Sequence, residues 1–137
     1  MTRPRIAPYL TVTPAAAAIA FYTAAFGAKQ RALMPSLDGL RIAHCELLIN
    51  GGSVMLADAF LELGQTRSPM PGEQVTMSVS VEYDEPKEVD EVCSRAASLG
   101  AKIETQPTNT FWGTRYASLR DPFGQRWILN APLEKKK

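Results

Sequence analysis

One order of elements is written twice along this chain, and that duplication limits the folds open to it. Residues 6–12 alternate like a strand, with Ile6, Pro8, Leu10 and Val12 on one face and Ala7, Tyr9 and Thr11 on the other. Thr13-Pro14 reads as an N-cap and first-turn proline, and the alanine-rich stretch Ala15 to Phe26 reads as a helix closed by Gly27. Ile19, Tyr22 and Phe26 supply its apolar spacing. Strand-like runs follow at Lys29 to Leu33, Arg41 to Asn50 and Ser53 to Ala59, the last two joined by the tight-turn signal Asn50-Gly51-Gly52.

The second pass begins at Val75 to Glu82, which alternates strictly, and Asp84-Glu85-Pro86 opens a second helix. Val89, Val92, Cys93, Ala96 and Leu99 form its stripe, and Gly100 ends it. Leu99-Gly100-Ala101-Lys102 echoes Phe26-Gly27-Ala28-Lys29. Strands are expected again at Lys102 to Thr105, Trp112 to Leu119 and Gln125 to Asn130, with Asp121-Pro122-Phe123-Gly124 as the turn. The reading is therefore an α+β protein of two βαβββ modules, about 5–60 and 75–132, joined by a linker over 61–74 within one domain spanning 1–137. A helix covers one face of each four-stranded sheet, and the other face is left for something else.

Charge narrows the partners. Fifteen basic and fourteen acidic side chains leave +1, which gives no long-range field for nucleic acid or an anionic membrane. The one basic run, Lys135 to Lys137, reads as a solvated end. No apolar run reaches the roughly 18 residues a membrane helix needs, and no signal core follows the basic start Met1-Thr2-Arg3, so a cytoplasmic location is expected. Cys45 and Cys93 fit reduced thiols, and one histidine with two cysteines excludes a closed structural zinc site.

Alternation assigns the polar residues to faces. Ala7, Tyr9, Thr11, Thr76, Ser78 and Ser80 point away from the helices, where they either meet a ligand or face solvent or a partner. His44 and Glu46 share a face, opposite Ala43, Cys45, Leu47 and Ile49. Such a pair can serve as general base and orienting partner, as ligands of a non-standard metal site, or as a plain hydrogen-bonded pair. Asp58 either anchors a ligand or forms a strand-end turn. Trp112 and Tyr116 share a face that can stack on a planar ligand, whereas Trp127 falls on the Leu129 side and reads as core. Arg126 and Asn130 flank Ile128 on the outward face, with Asn130 placed to bond a ligand. No glycine-rich phosphate loop, nucleophile elbow or CxxC pair is present.

The repeat, together with Tyr9, Ala20-Phe21-Tyr22 before Gly27, His44-Cys45-Glu46-Leu47, Phe111-Trp112-Gly113 and Asp121-Pro122-Phe123-Gly124-Gln125-Arg126-Trp127, resembles the glyoxalase/bleomycin-resistance/extradiol-dioxygenase (vicinal oxygen chelate) superfamily, most closely its PhnB-like branch. The resemblance implies modules whose mostly antiparallel sheets curl into a cup with the helices outside, usually within a homodimer. It also implies a divalent metal on four side chains, two per module. Those positions fall on Ala7, at or beside Leu56, at Thr76 or its neighbour, and on Ile128. Ala, Leu and Ile carry no donor, so no cofactor is expected unless a non-standard site exists. Three functions remain in view. One is metal-independent sequestration of a planar or hydrophobic small molecule, as in antibiotic-resistance relatives. Another is a lyase, isomerase or dioxygenase using a non-standard metal or an acid-base site of His44 and Glu46, and the third is a protein-interaction module whose cup is filled by its own side chains or by a partner. For the first, the expected contacts are Tyr9, Thr11, His44, Glu46, Asp58, Ser78, Trp112, Tyr116 and Asn130.

Overall fold

The computed structural model describes residues 3–134; the Met1-Thr2 start and the Lys135 to Lys137 run lie outside the described residues. The elements run β1 (Tyr9–Thr11), α1 (Ala15–Phe26), β2 (Lys29–Pro35), β3 (Ile42–Ile49), β4 (Gly52–Ala57), then β5 (Ser78–Glu82), α2 (Pro86–Ser98), β6 (Lys102–Asn109), β7 (Thr114–Arg120) and β8 (Arg126–Pro132). A short 3-10 turn at Leu61–Leu63 follows β4. The chain forms two compact units that divide between Glu73 and Gln74.

In the first unit the sheet order is β1-β4-β3-β2, with β1 parallel to β4 and the other two pairings antiparallel. Alternation sends Leu10, Val12, Cys45, Leu47, Ile49, Val54 and Leu56 to one buried face. Helix α1, which touches β3, buries Ala15, Ala18, Phe21, Tyr22, Ala25 and Phe26. Tyr22 and Phe26 are buried as the spacing requires, and Ile19 sits only half buried at the edge of the stripe. Tyr22 and Phe26 stack with centroids 6.0 Å apart, which the four-residue spacing makes possible. Asn50 (φ 48°) and Gly51 (φ 86°) form the two-residue hairpin turn the sequence signals, since both central positions take positive φ.

The start of α1 corrects a sequence expectation. Thr13 does not cap it; Pro14 holds the N-cap position without a side-chain bond. Asp58 caps it from the end of β4 instead: Oδ1 accepts the Ala15 N–H at 2.9 Å and Oδ2 accepts the Ile42 N–H at 2.7 Å. Each such bond to a buried carboxylate contributes about 1.5–3 kcal/mol.

The second unit repeats the topology as β5-β8-β7-β6, with β5 parallel to β8. Helix α2 packs across β6, β7 and β8 and buries Val89, Val92, Cys93 and Ala96. Leu99, expected in that stripe, lies past the last turn and is partly exposed. A capping box closes the helix start, the Glu88 carboxylate accepting the Glu85 N–H at 3.0 Å. Trp127 is core, as its face requires, and its indole N–H donates to Asp121 at 2.9 Å. The other Asp121 oxygen accepts the Phe123 and Gln125 N–H groups, so this carboxylate ties the turn to the core. Strand β6 runs on to Asn109 and β7 starts only at Thr114, which leaves Phe111 and Trp112 in the turn between them. The duplicated order makes each unit an α+β module with an open, mostly antiparallel sheet and a helix on one face.

Candidate ligand site

The outward face of each sheet, opposite its helix, holds the polar residues singled out from the sequence. In the first module the Tyr9 hydroxyl and His44 Nδ1 are 2.8 Å apart, and the two rings lie 5.6 Å apart. Burial, with Cys45 as a smaller cause, raises the Tyr9 phenol above its ordinary value, which keeps it a hydrogen-bond donor at neutral pH. Whichever of the two atoms donates, the bond orients the ring and leaves Nε2 outside it. His44 therefore finds its orienting group on β1, not in Glu46.

Glu46 is engaged elsewhere. It accepts the Ser53 hydroxyl at 2.7 Å and lies 3.7 Å from Arg31, so the expected His44–Glu46 dyad does not form. Arg31 reaches it from a bulge in β2, where the register slips between Gln30 and Ala32. Thr11 is hydrogen-bonded to Thr66 at 2.7 Å, and Asp58 spends both oxygens on the backbone. Asp58 is thus a structural cap. Cys45 lies under the opposite face, and burial, followed by Glu46, pushes its thiol up, away from nucleophilic use.

In the second module Trp112 and Tyr116 meet edge to face at 6.2 Å, with Phe111 against Trp112 at 5.0 Å. Trp112 is 59% exposed although it belongs to an aromatic cluster. Asn130 stands directly across from Tyr116 and donates to Glu82 at 3.0 Å; its Oδ1 is buried without a hydrogen-bond partner among the described residues. Ser80 completes that group by donating to Glu82 at 2.6 Å. Ser78 accepts from Arg126 at 2.7 Å at the other end of the face. An open basin of about 560 Å³ lies there, lined by Gln74, Thr76, Ser78, Glu104, Arg120 and Arg126. The sequence reading passed over Glu104, Arg120, Arg31 and Ser53, because bulges and cross-strand register, which bring them in, leave no local signal.

The register also tests the metal positions. Leu56 is fully buried on the helix side, and its outward neighbour Met55 occupies the place that Ile128 holds in the second module. Ala7, Met55, Thr76 or Ser78, and Ile128 do not make the hard oxygen and nitrogen set a divalent ion needs. Among the described residues no three His, Cys, Asp or Glu side chains gather to hold a metal ion elsewhere. The superfamily's metal does not fit these residues.

Fold and sites together define a duplicated-module protein whose open sheet faces carry aromatic and hydrogen-bonding groups. The chain belongs to the Glyoxalase/Bleomycin resistance protein/Dioxygenase superfamily, whose profile matches residues 4–129. An uncharacterized protein of Mycobacterium bovis is 37% identical over 134 residues, covering 95% of this chain and 84% of its own. Among solved structures, the PhnB protein of Bacillus cereus, described as a putative 3-demethylubiquinone-9 3-methyltransferase, superposes with a TM-score of 0.70 at 21% identity, covering 93% of this chain and 99% of that one. The fosfomycin resistance protein FosX of Listeria monocytogenes, solved with Mn(II) and sulfate, has a TM-score of 0.70 at 17% identity, covering 96% and 92%. At those identities the likeness is one of fold.

Proposed function

We propose that this chain is a metal-independent, cytoplasmic binding protein that sequesters a planar or hydrophobic organic compound, in the manner of PhnB-like and antibiotic-resistance members of the superfamily. The observation that carries the reading is the outward face of the second module. An exposed indole, Trp112, stands edge-on to Tyr116, with Asn130 directly across the strands from Tyr116. An apolar wall beside an orienting amide suits a flat ligand with one or two polar groups. The missing donor set supports independence from metal.

Fluorescence is the direct test, because the chain has two tryptophans and Trp127 is fully buried. A panel of planar aromatic compounds is expected to quench Trp112 saturably, to the same extent with and without chelator, and Trp112→Leu is expected to abolish the response. Quenching that persists in that variant, or binding lost to chelator alongside near one equivalent of bound metal, would overturn it.

The Tyr9–His44 bond favours a second, enzymatic reading. A phenol that fixes an imidazole leaves Nε2 as a proton donor or acceptor on the outward face of the first module. A lyase or isomerase using His44 would lose its rate in His44→Ala and lose less in Tyr9→Phe, which removes only the orienting bond. If no turnover is found, or none depends on His44, this second reading falls.

A further inference from the structure

We propose that the basin at the β5–β8 end of the second module is a carboxylate-recognition site, so that the compound bound on this face is an organic acid. The proposal rests on the reading of that face as the ligand surface and names the chemistry of one end of the ligand. Ser78, Arg126, Arg120 and Lys102 stand abreast across β5, β8, β7 and β6, each paired with the next. Three cations side by side on one sheet face repel one another, and such an arrangement is costly unless something answers the charge.

A carboxylate of the protein answers part of it. Glu104 sits where the β6 register slips between Ile103 and Thr105, and that bulge turns its side chain onto the arginine row. Its Oε1 lies 3.2 Å from Arg126 Nε and 3.8 Å from Arg120 Nε. Arg126 spends a second donor on Ser78 at 2.7 Å, and Arg120 spends one on the Gly124 carbonyl at 3.3 Å. The two guanidinium groups are thereby oriented at the wall of the basin, both against Glu104. Guanidinium forks fixed in this way match a carboxylate better than a mobile ammonium does.

The first module gives the contrast. Its bulge residue, Arg31, faces Glu46, Lys29 stands where the second module has Lys102, and Leu48 and Ser53 stand where it has Arg120 and Arg126. Among the described residues, the second module alone carries a pair of arginines at this place. The volume of about 560 Å³ is that of a small-molecule pocket, and the hydroxyls of Ser78 and Thr76 add donors. Further along β7, Ser118 keeps a fully buried hydroxyl with no hydrogen-bond partner among the described residues. Tyr116 and Arg120 are four residues apart on one strand face, roughly 13 Å. A flat ring system on Trp112 and Tyr116 therefore reaches the basin only through a ligand two or three rings long with its acid at the far end.

The test uses a probe that needs only the acid. The isotopically labelled full chain is titrated with sodium benzoate, with benzamide and with sodium chloride at matched ionic strength, and the Nε–H signals of Arg120 and Arg126 are followed. Benzoate is expected to shift both saturably and the other two to leave them in place. Arg120→Gln should weaken benzoate by about tenfold. Glu104→Gln should tighten it several-fold, an effect that a purely structural ion pair would not produce. An equal response to benzamide, no saturable shift beyond chloride, or affinity unchanged in both variants would overturn the proposal. If Trp112 still answers planar neutral compounds in that event, the reading of the face stands and only its acid end is lost.

Discussion

Tyr83 shows how a single side chain can be read for a cost. It follows β5, is 8% exposed, and its hydroxyl is buried with no hydrogen-bond partner among the described residues. A buried hydroxyl left unpaired costs about 1–3 kcal/mol. Burial also pushes the phenol from 10.0 up to about 12, because ionisation would place a charge in the same dry surroundings. A raised folded value means that the stability tied to the neutral phenol is whole below pH 10 and drains away as pH rises through 12. Tyr83→Phe is accordingly expected to raise stability at neutral pH by about 1 kcal/mol in urea unfolding and to remove this alkaline limb. A variant less stable than the parent would mean that the hydroxyl has a partner, such as a bound water. At this scale the sequence spoke unevenly. Trp127 was legible as core because its strand parity decides it. Asp58 was not legible as a helix cap, because its partners Ala15 and Ile42 lie 43 and 16 residues away.

At the scale of elements, local signals carried the most. Helix α1 matches its expected bounds at Ala15 and Phe26, because Gly27 takes the left-handed conformation (φ 68°) that a helix C-terminus favours. Sheet faces followed from alternation. What stayed hidden depends on pairing between strands: the bulges that aim Arg31 and Glu104, and the row of Arg120 against Arg126. The segment after β4 has its own local logic, legible only in three dimensions. Arg67 clamps Glu73 through two bonds of 2.9 and 2.7 Å, and Glu73 also accepts the Met70 N–H at 2.9 Å. The bond from Arg67, then that from the backbone, lowers the Glu73 carboxyl from 4.5 to about 2. The clamp is therefore complete above pH 4.5 and is lost as pH falls toward 2. Carboxyl NMR titration should place the Glu73 midpoint near 2, and Arg67→Gln should return it toward 4.5. A midpoint near 4.5 in the parent chain would show that the clamp does not persist in solution.

The whole molecule presents a different constraint, which is what it leaves uncovered. A chain of 15.0 kDa exposes Met34, Leu37, Leu40, Leu61 and Leu63 on its first unit, and Met77, Phe111 and Trp112 on its second. Single exposed apolar residues need no explanation, but large side chains gathered around the β2–β3 connection and the turn after β4 do. Trp112 is accounted for by the ligand reading. Leu37 and Leu40 are not, since they lie in the β2–β3 connection and belong to neither sheet face. A second copy of the chain, in the homodimer the superfamily resemblance implies, would cover them. Sedimentation at micromolar concentration should then give twice 15.0 kDa. Leu37→Glu with Leu40→Glu should shift the mass to that of one chain while leaving Trp112 quenching by planar ligands in place. A monomeric parent would refute the dimer outright. A dimer indifferent to both substitutions would move its interface off the β2–β3 connection. Loss of ligand response together with the dimer would tie binding to assembly, which no single module predicts.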